Sequence, residues 1–285
     1  MTEKLRSNKS NDTAIKKHYP VVIAGGGMVG SSLALALEQQ GIECAVFEAF
    51  AANDQAQPSF DDRTVALSAA SLNILRSLGV SQDFEQVAEP IKHIHVSDQG
   101  HIGFARLSSE QQKVEKLGAV IENWQLGHVL KKHIAQKDNI DYFTSATVKE
   151  LKQTADSAEL VVELNQGNGD KSTHERHQVS AQLVVLADGA HSPLRQQLHI
   201  DSEQHDFGMS AMVCNISTQL PHNNWAFERF TQDGPLALLP LTQKRMALVW
   251  SKPRQQVEGY LAMTEQQFAK ELEATFGARL GKITK

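Results

Sequence analysis

The chain has 285 residues, of which 41% are hydrophobic and 21% charged, and its formal net charge is −5 at pH 7. This composition is typical of a folded globular protein and argues against a disordered chain. Nucleic-acid binding is not favoured either, because the charge balance is acidic and no basic stripe is present. No run of residues approaches the roughly 18 apolar residues of a membrane-spanning helix.

The first 18 residues are polar and lysine-rich, and they lack the apolar segment of a secretory signal. We therefore expect residues 1–18 to form a disordered arm. Cys44 and Cys214 are the only cysteines, and Cys44 falls in an apolar run. A buried free thiol is the expected state of Cys44, which favours a cytoplasmic location.

The first predicted elements form a β-α-β unit. An apolar strand at 21–24 is followed by a helix at 28–39 and by a second apolar strand at 44–47 that stops at Glu48. The helix is so apolar that we expect it to be covered on all sides. Strands of this kind are buried on both faces of a parallel sheet.

Glycines between the first strand and the helix fit the pattern G-x-G-x-x-G, with Gly25, Gly27 and Gly30 at the fixed positions. Such a turn brings a pyrophosphate close to the backbone and to the N-terminus of the helix. Glu48 lies 18 residues after Gly30, where an acidic side chain binds ribose hydroxyls. The pattern predicts a dinucleotide site but leaves FAD and NAD both open.

Patterns along the rest of the chain predict two groups of elements. We expect helices at 63–78, 124–136 and 264–276, a β-hairpin with strands at 91–97 and 101–107, short strands from 142 to 186 with a surface tip at 165–171, and antiparallel strands at 209–217, 225–230, 236–241 and 245–250. The change in pattern after Arg195 indicates a second domain.

A second turn of interest follows the apolar run 183–186. Asp188 and Gly189 come directly after it, and Ser192 and Arg195 follow. An Asp-Gly pair after a strand predicts a sharp turn at the carboxyl edge of the sheet, where open α/β sheets bind ligands. This turn favours a flavin over a nicotinamide cofactor.

Four segments carry a resemblance to a known family: Phe60–Ser68, His95–His101, Ala226–Pro240 and Phe276–Thr284. They resemble the flavin-dependent aromatic hydroxylases of ubiquinone biosynthesis, within the para-hydroxybenzoate-hydroxylase-like superfamily. The resemblance runs from about Tyr19 to the last residue. It implies an α/β fold in which a Rossmann-like FAD-binding domain (19–85 and 111–200) is interleaved with a mainly antiparallel β-sheet substrate domain (86–110 and 201–285).

The same resemblance assigns residues to the cofactor. The glycine turn and Glu48 would hold the ADP half of FAD, Arg63 would lie near the flavin, and Gln125 would contact FAD from the start of a helix. Asp188 and Gly189 would sit at the inner phosphate and the ribityl chain.

A substrate pocket is implied as well, lined by Phe230, Leu239 and Pro240. The alternative for these three residues is plain packing within the sheet, and their positions in the sequence do not separate the two readings. No side chain is assigned a catalytic role, because in such enzymes the cofactor carries the difficult chemistry.

The implied reaction uses NAD(P)H or another donor to reduce FAD, which forms a C4a-hydroperoxide with O2 and hydroxylates a polyprenylated methoxyphenol. Other proteins of quinone biosynthesis are potential partners, and a peripheral membrane contact fits a prenylated substrate. A metal site is not expected: His93 with His95, and His174 with His177, lack cysteine or carboxylate at ligand spacing.

The sequence departs from the family at its end. Family members continue into a segment with Gly-Asp or Gly-Asn followed by two small residues, which holds the flavin's ribityl chain and ring, whereas this sequence stops at Lys285. We expect a truncated form that retains FAD weakly. Two alternatives remain open: an NAD-linked dehydrogenase of similar fold, and a non-catalytic subunit of a quinone-biosynthesis complex.

Overall fold

The computed structural model describes residues 14–51, 63–166 and 173–285, which fall in two compact units. The first unit contains 14–51, 78–80 and 124–203, and the second contains 63–77, 81–123 and 204–285. The boundaries differ from the expected ones, because 63–77, 81–85 and 111–123 lie in the second unit and 201–203 in the first. Which unit serves cofactor and which serves substrate stays a prediction.

The strands of the described residues are β1 (His18–Ala24), β2 (Cys44–Phe47), β3 (Thr64–Ser68), β4 (Glu89–Ile91), β5 (His93–Asp98), β6 (Phe104–Ser108), β7 (Gly118–Glu122), β8 (Ile140–Phe143), β9 (Ala146–Gln153), β10 (Ala158–Gln166), β11 (Thr173–Leu186), β12 (Met209–Ser217), β13 (Trp225–Thr231), β14 (Gly234–Leu241) and β15 (Arg245–Pro253). The α-helices are α1 (Met28–Gln39), α2 (Ala69–Ser77), α3 (Ser81–Val87), α4 (Asn123–Ile134), α5 (Pro193–Gln197), α6 (Arg254–Leu261) and α7 (Glu265–Phe276). None of these helices is long and apolar enough to cross a membrane.

The first unit is built on a six-stranded sheet with the order β8-β2-β1-β11-β10-β9. β8, β2, β1 and the end of β11 run parallel, whereas β11, β10 and β9 pair antiparallel. β11 is long enough to do both, since its residues 173–181 face β10 and its residues 180–186 face β1. The parallel part thus ends with the carboxyl termini of four strands at one edge.

The predicted β-α-β unit is confirmed as β1, α1 and β2, and the strands of this unit supply core residues. Tyr19, Val22 and Phe47 are core residues, and the ring of Phe47 stacks on that of Phe143 at 5.2 Å between centroids. Cys44 is a buried free thiol as expected, and burial raises its pKa to about 12.

Two expectations for this unit need correction. α1 is not covered on all sides: it buries Gly30, Ser31, Ala34 and Leu35, while Val29 on the same helix is 73% exposed. Its apolar residues therefore exceed what one sheet face can cover. The arm is shorter than predicted, because β1 begins at His18 and Ile15 packs against the core. Residues 1–13 of the predicted arm, and most of the surface tip predicted at 165–171, lie outside the described residues.

The second unit contains a six-stranded sheet with the order β12-β15-β14-β13-β5-β6 and a three-stranded sheet with the order β3-β7-β4. All neighbouring strands pair antiparallel except β13 with β5, which are parallel. The hairpin predicted with strands at 91–97 and 101–107 is confirmed as β5 and β6. The antiparallel strands predicted between 209 and 250 are confirmed as β12 to β15.

The helix predicted at 63–78 is partly wrong. Residues 64–68 form β3, paired antiparallel with β7, and only the remainder is helical as α2. Thr64 and Val65 are β-branched and favour a strand, and the hydrogen-bonding partner for that strand lies about 50 residues further along the chain. The local helical pattern was therefore overridden by tertiary pairing.

Helices α6 and α7 pack against the core of the second unit. Trp250 is fully buried, and its ring meets those of Tyr260 and Phe268 at 5.1 and 5.9 Å. α7 contributes Leu272 and Phe276 to the same cluster. The predicted helix at 264–276 is confirmed: Thr264 caps its start in a capping box and Gly277 follows its last residue.

Candidate functional site

The glycine turn of the first unit sits directly after β1 and is tightly enclosed by backbone. Gly25 has φ +102°, and a Cβ there would lie 2.3 Å from the carbonyl oxygen of Ala187. Gly30 lies in the first turn of α1, where a Cβ would come within 2.0 Å of the Gly25 carbonyl oxygen. Both positions therefore require glycine, and together they bring α1 close to the ends of β1 and β11.

Gly27 occupies the N-cap position of α1, and glycine has no side chain that could cap the helix. No side chain caps the helix, and its first turn contains no acidic residue. The N-terminus of a twelve-residue helix carries partial positive charge and several backbone N–H groups that need acceptors. This is the arrangement that binds a phosphate group.

Glu48 follows the last residue of β2 and is 5% exposed. One of its carboxylate oxygens accepts a hydrogen bond from the backbone N–H of Gly26 at 2.7 Å, and the other accepts from that of Phe50 at 2.9 Å. An ionised carboxylate has about four lone-pair sites, so beyond these two bonds among the described residues Glu48 has capacity to accept from ribose hydroxyls.

Tyr142 is a residue of this site that the sequence reasoning missed. Its hydroxyl donates to the carbonyl oxygen of Gly26 at 2.8 Å, as does the hydroxyl of Ser31 at 2.8 Å. A Cβ on Gly26 would lie 2.1 Å from the Tyr142 hydroxyl oxygen and 2.9 Å from the Cβ of Glu48, so a side chain there would displace the Tyr142 ring. Burial, and then the charge of Glu48, raise the pKa of Tyr142 and keep it a protonated donor. No sequence motif marks Tyr142; its place in the site follows from β8 lying parallel to β2, which puts Tyr142 next to Val46.

The Asp188 turn meets the glycine turn, although about 160 residues separate them in the sequence. The Ala187 N–H donates to the Ala24 carbonyl oxygen at 2.7 Å, which ties the two turns together. Ser192 donates to one carboxylate oxygen of Asp188 at 2.8 Å and accepts from the backbone N–H of Arg195 at 3.0 Å, so it caps α5. The other oxygen, Oδ1, is buried with no partner among the described residues.

Gly189 has φ +95°, and a Cβ there would meet nothing within 4 Å. The glycine is required by the backbone conformation and not by crowding, which leaves open space beside Asp188. A buried carboxylate oxygen without a partner is costly unless a donor reaches it. The Asp188 turn therefore has both the acceptor and the room for a ligand hydroxyl.

The remaining residues predicted at the cofactor are placed differently. Gln125 is half-buried in the first turn of α4, and the same helix brings Lys131 within electrostatic range of Glu48. Burial lowers the pKa of Lys131, and the Glu48 carboxylate opposes that shift. Arg63 is exposed and belongs to the second unit, so it is not among the residues that the first unit brings together. The contacts of Gln125 and Arg63 with a flavin stay predictions.

The three residues predicted to line a substrate pocket do not share one surface. Leu239 packs with the cluster that contains Ala226, and alternation along β13 puts Phe230 on the same face of the sheet as Ala226. Pro240 pairs with Met246, a member of the cluster on the other face. Phe230 is 50% exposed. Only Phe230 and Leu239 therefore share a face, and Pro240 belongs to the packing of the opposite face.

These features of the first unit fit a dinucleotide. The closed glycine turn, the uncapped start of α1 and the Glu48 carboxylate match an ADP moiety, and the unpaired oxygen of Asp188 matches a donor further along the cofactor. Within the described parts of the chain, no group of three or more His, Cys, Asp or Glu side chains is arranged to hold a metal ion.

Similarity to known proteins agrees with this geometry. 3-Demethoxyubiquinol 3-hydroxylase of Escherichia coli K12 is 30% identical over 268 residues, which cover 93% of this chain and 65% of that protein. Ubiquinone hydroxylase UbiL of Rhodospirillum rubrum is 28% identical over 263 residues, which cover 92% of this chain and 58% of that protein. The chain thus spans roughly six-tenths of the length of these relatives.

Solved structures show the same fold. The crystal structure of the flavin-dependent monooxygenase PieE in complex with FAD and substrate matches with a TM-score of 0.71 at 16% identity, covering 95% of this chain and 49% of that one. The model of a protein family described as "FAD binding domain" matches residues 18–283. Because that match covers nearly the whole sequence, the chain belongs to the FAD-binding-domain family of flavoproteins.

Proposed function

We propose that this chain holds the FAD of a flavin-dependent monooxygenase that hydroxylates a polyprenylated methoxyphenol on the way to a quinone. The observation that carries the proposal is the junction of the two turns, where Gly25 packs against Ala187 and the buried Oδ1 of Asp188 has no partner. The names of the two relatives, which are ubiquinone-pathway hydroxylases, support the substrate class.

Each part of the turn junction has its own task in this proposal. The N-terminus of α1 binds the pyrophosphate, Glu48 accepts from the adenosine ribose, and Asp188 accepts from a hydroxyl of the ribityl chain. Bound FAD, reduced by NAD(P)H or another donor, would supply oxygen activation. The chain's own residues bind and orient the cofactor and supply no nucleophile or metal.

The proposal also covers the protein's location in the cell and its partners. A polyprenylated substrate partitions into membranes, so we propose a cytoplasmic protein that contacts the membrane surface peripherally and meets other proteins of quinone biosynthesis there. Substrate recognition is assigned to the second unit, with Phe230 and Leu239 as the apolar residues that share one sheet face.

FAD binding tests the proposal directly and independently of turnover. The purified chain is titrated with FAD, and flavin fluorescence and visible absorbance are followed. Glu48→Gln and Asp188→Asn are each expected to weaken binding about tenfold, because each replaces a charge-assisted hydrogen bond with a neutral one. Glu159→Gln is the matched control, since Glu159 is exposed on β10 of the same unit.

Other outcomes identify the alternatives. Tighter binding of NAD than of FAD would point to a nicotinamide-linked dehydrogenase. Failure to bind either dinucleotide would favour a non-catalytic subunit. If FAD binds but Glu48→Gln and Asp188→Asn behave like Glu159→Gln, the assignment of this site is wrong. Hydroxylation of a polyprenylated methoxyphenol, with NAD(P)H present and product followed by mass spectrometry, then tests the substrate class.

A further inference from the structure

One face of the large sheet in the second unit concentrates cations and aromatic rings. Alternate residues of β13, β5 and β6 project from it, and the register pairs Phe227 with His95 and His95 with Arg106. The short turn after α7 adds Arg279. A cavity of about 210 Å³ opens here, which we call the arginine cavity; its walls include His95, Arg106, Trp225, Phe227, Arg279 and Leu280.

His95 has an unused donor. It is 3% exposed, and its Nδ1 accepts a hydrogen bond from the Nε of Arg106 at 3.3 Å. Since Nδ1 is the acceptor, the proton of the neutral ring is on Nε2. Burial, and then the charges of Arg279, Arg106 and Arg229, lower the pKa of His95 and keep the ring neutral. The buried Nε2–H has no partner among the described residues.

Three guanidinium groups act electrostatically on this histidine, and two of them, Arg106 and Arg279, line the cavity. Arg106 lies over the rings of Phe104 and Trp225, at 4.9 and 5.7 Å from their centroids. Arg229 donates to the hydroxyl of Ser97 at 3.3 Å, while its buried Nε has no partner in the part of the chain that the structure describes.

Arg279 donates to the backbone carbonyl of Phe276 at 3.3 Å. Burial, followed by the charges of Arg229 and Arg106, lowers its pKa, as expected for cations that repel one another. Among the described residues, no ion pair joins any of the three arginines to a carboxylate. Charge of one sign is therefore concentrated at the cavity.

Two buried donors, His95 Nε2 and Arg229 Nε, have no acceptor among the described residues, and the exposed Arg106 and Arg279 add positive charge beside them, so a negatively charged acceptor fits this arrangement. Buried N–H donors without acceptors are costly, and three nearby guanidinium groups repel one another. A carboxylate brings two oxygens and one charge, whereas a phosphate monoester brings three terminal oxygens and close to two charges near neutral pH. Guanidinium groups also match phosphate geometry well.

We propose that the arginine cavity binds the phosphate group of a phosphomonoester, with Arg106 and Arg279 at the phosphate oxygens and the Nε2–H of His95 as a further donor. The same chemistry is presented by a soluble phosphate compound and by a phosphomonoester lipid headgroup. The site lies wholly within the second unit, so this proposal stands or falls independently of FAD binding.

Binding of inorganic phosphate to the 285-residue chain is measured by calorimetry, together with the side-chain nitrogen shifts of its histidines by NMR. Saturable binding that shifts the Nε2 resonance of His95 is expected. Arg279→Gln, an exposed substitution, should weaken binding about tenfold, whereas Arg76→Gln removes the same charge from α2 of the same unit and should leave it unchanged. Circular dichroism verifies that both variants are folded.

A second arm separates the two sources. Vesicles of phosphatidic acid in phosphatidylcholine are compared with phosphatidylcholine alone by co-sedimentation. Binding of free phosphate without vesicle binding supports a soluble ligand, and Arg279-dependent binding to phosphatidic acid vesicles supports a lipid headgroup. The proposal is overturned if neither probe binds, if Arg76→Gln weakens binding as much as Arg279→Gln, or if a dicarboxylate such as succinate binds more tightly than phosphate.

Discussion

Replacing Gly30 with alanine tests how closely α1 must approach the glycine turn. The new Cβ would lie 2.0 Å from the Gly25 carbonyl oxygen and 3.1 Å from a methyl carbon of Ile23, and Cβ atoms essentially never approach within 3.0 Å of another heavy atom. The distance between the new Cβ and the Gly25 carbonyl oxygen must therefore grow from 2.0 Å to at least 3.0 Å, so the helix has to move by about 1 Å. Such overpacking costs about 3 kcal/mol at the upper end of its usual range, and alanine recovers about 1 kcal/mol of helix propensity. The net loss is about 2 kcal/mol.

A matched substitution should move stability the other way. Gly259 lies in α6, where a Cβ would meet nothing within 4 Å, so Gly259→Ala is expected to stabilise by about 1 kcal/mol. Thermal unfolding followed by circular dichroism should show a decrease of about 4–8 °C in Tm for Gly30→Ala and a small increase for Gly259→Ala. Because we propose that the N-terminus of α1 binds the FAD pyrophosphate, Gly30→Ala should also weaken FAD binding at least about tenfold.

The result that refutes this reasoning is a Gly30→Ala variant with the stability and FAD affinity of the original chain. A shift of equal size and sign in both variants would also contradict it, since the two sites differ only in what surrounds the added methyl group. Loss of FAD affinity without loss of stability would instead show that the helix moves at little cost.

Three further predictions follow from single contacts. Tyr142→Phe removes a donor to the Gly26 carbonyl oxygen, which retains a second one, so urea unfolding should show a loss of about 1 kcal/mol; no loss would mean that the Tyr142 contact is not formed. At about pH 8 a thiol reagent should label exposed Cys214 and spare Cys44, whose pKa burial raises to about 12, until the chain unfolds; labelling of both in the folded chain would contradict this. Thr264→Ala should destabilise the protein by about 1 kcal/mol and Thr264→Ser should not, and equal effects would exclude the capping box as the cause.

Local sequence was sufficient for elements whose pattern and caps agree. The β-α-β unit around the glycine turn and the helix that follows Thr264 were predicted because apolar periodicity, end residues and turn glycines all indicate the same structure. The free thiol of Cys44 followed from its position in an apolar strand. The family, too, could be named from short segments of sequence.

Pairing between distant segments was not readable in the same way. Residues 64–68 carry a pattern compatible with a helix, and only β7 makes them a strand. The family resemblance assigned both Leu239 and Pro240 to one pocket, yet neighbours in a strand face opposite sides of the sheet. Tyr142 gave no motif at all, and its contact with Gly26 depends on β8 lying beside β2.

The sequence by itself therefore predicted a glycine turn of the phosphate-binding kind after β1, and a sharp turn at Asp188 after the run 183–186. Only the tertiary structure decided that these two turns meet, because the parallel register of β1 with β11 places Ala24 opposite Leu186. The same holds for His95, Arg106 and Arg279, which come together through strand register and the end of α7. Periodicity encodes the type of an element, whereas the choice of its partner strand depends on backbone hydrogen bonds and burial between residues far apart in the chain.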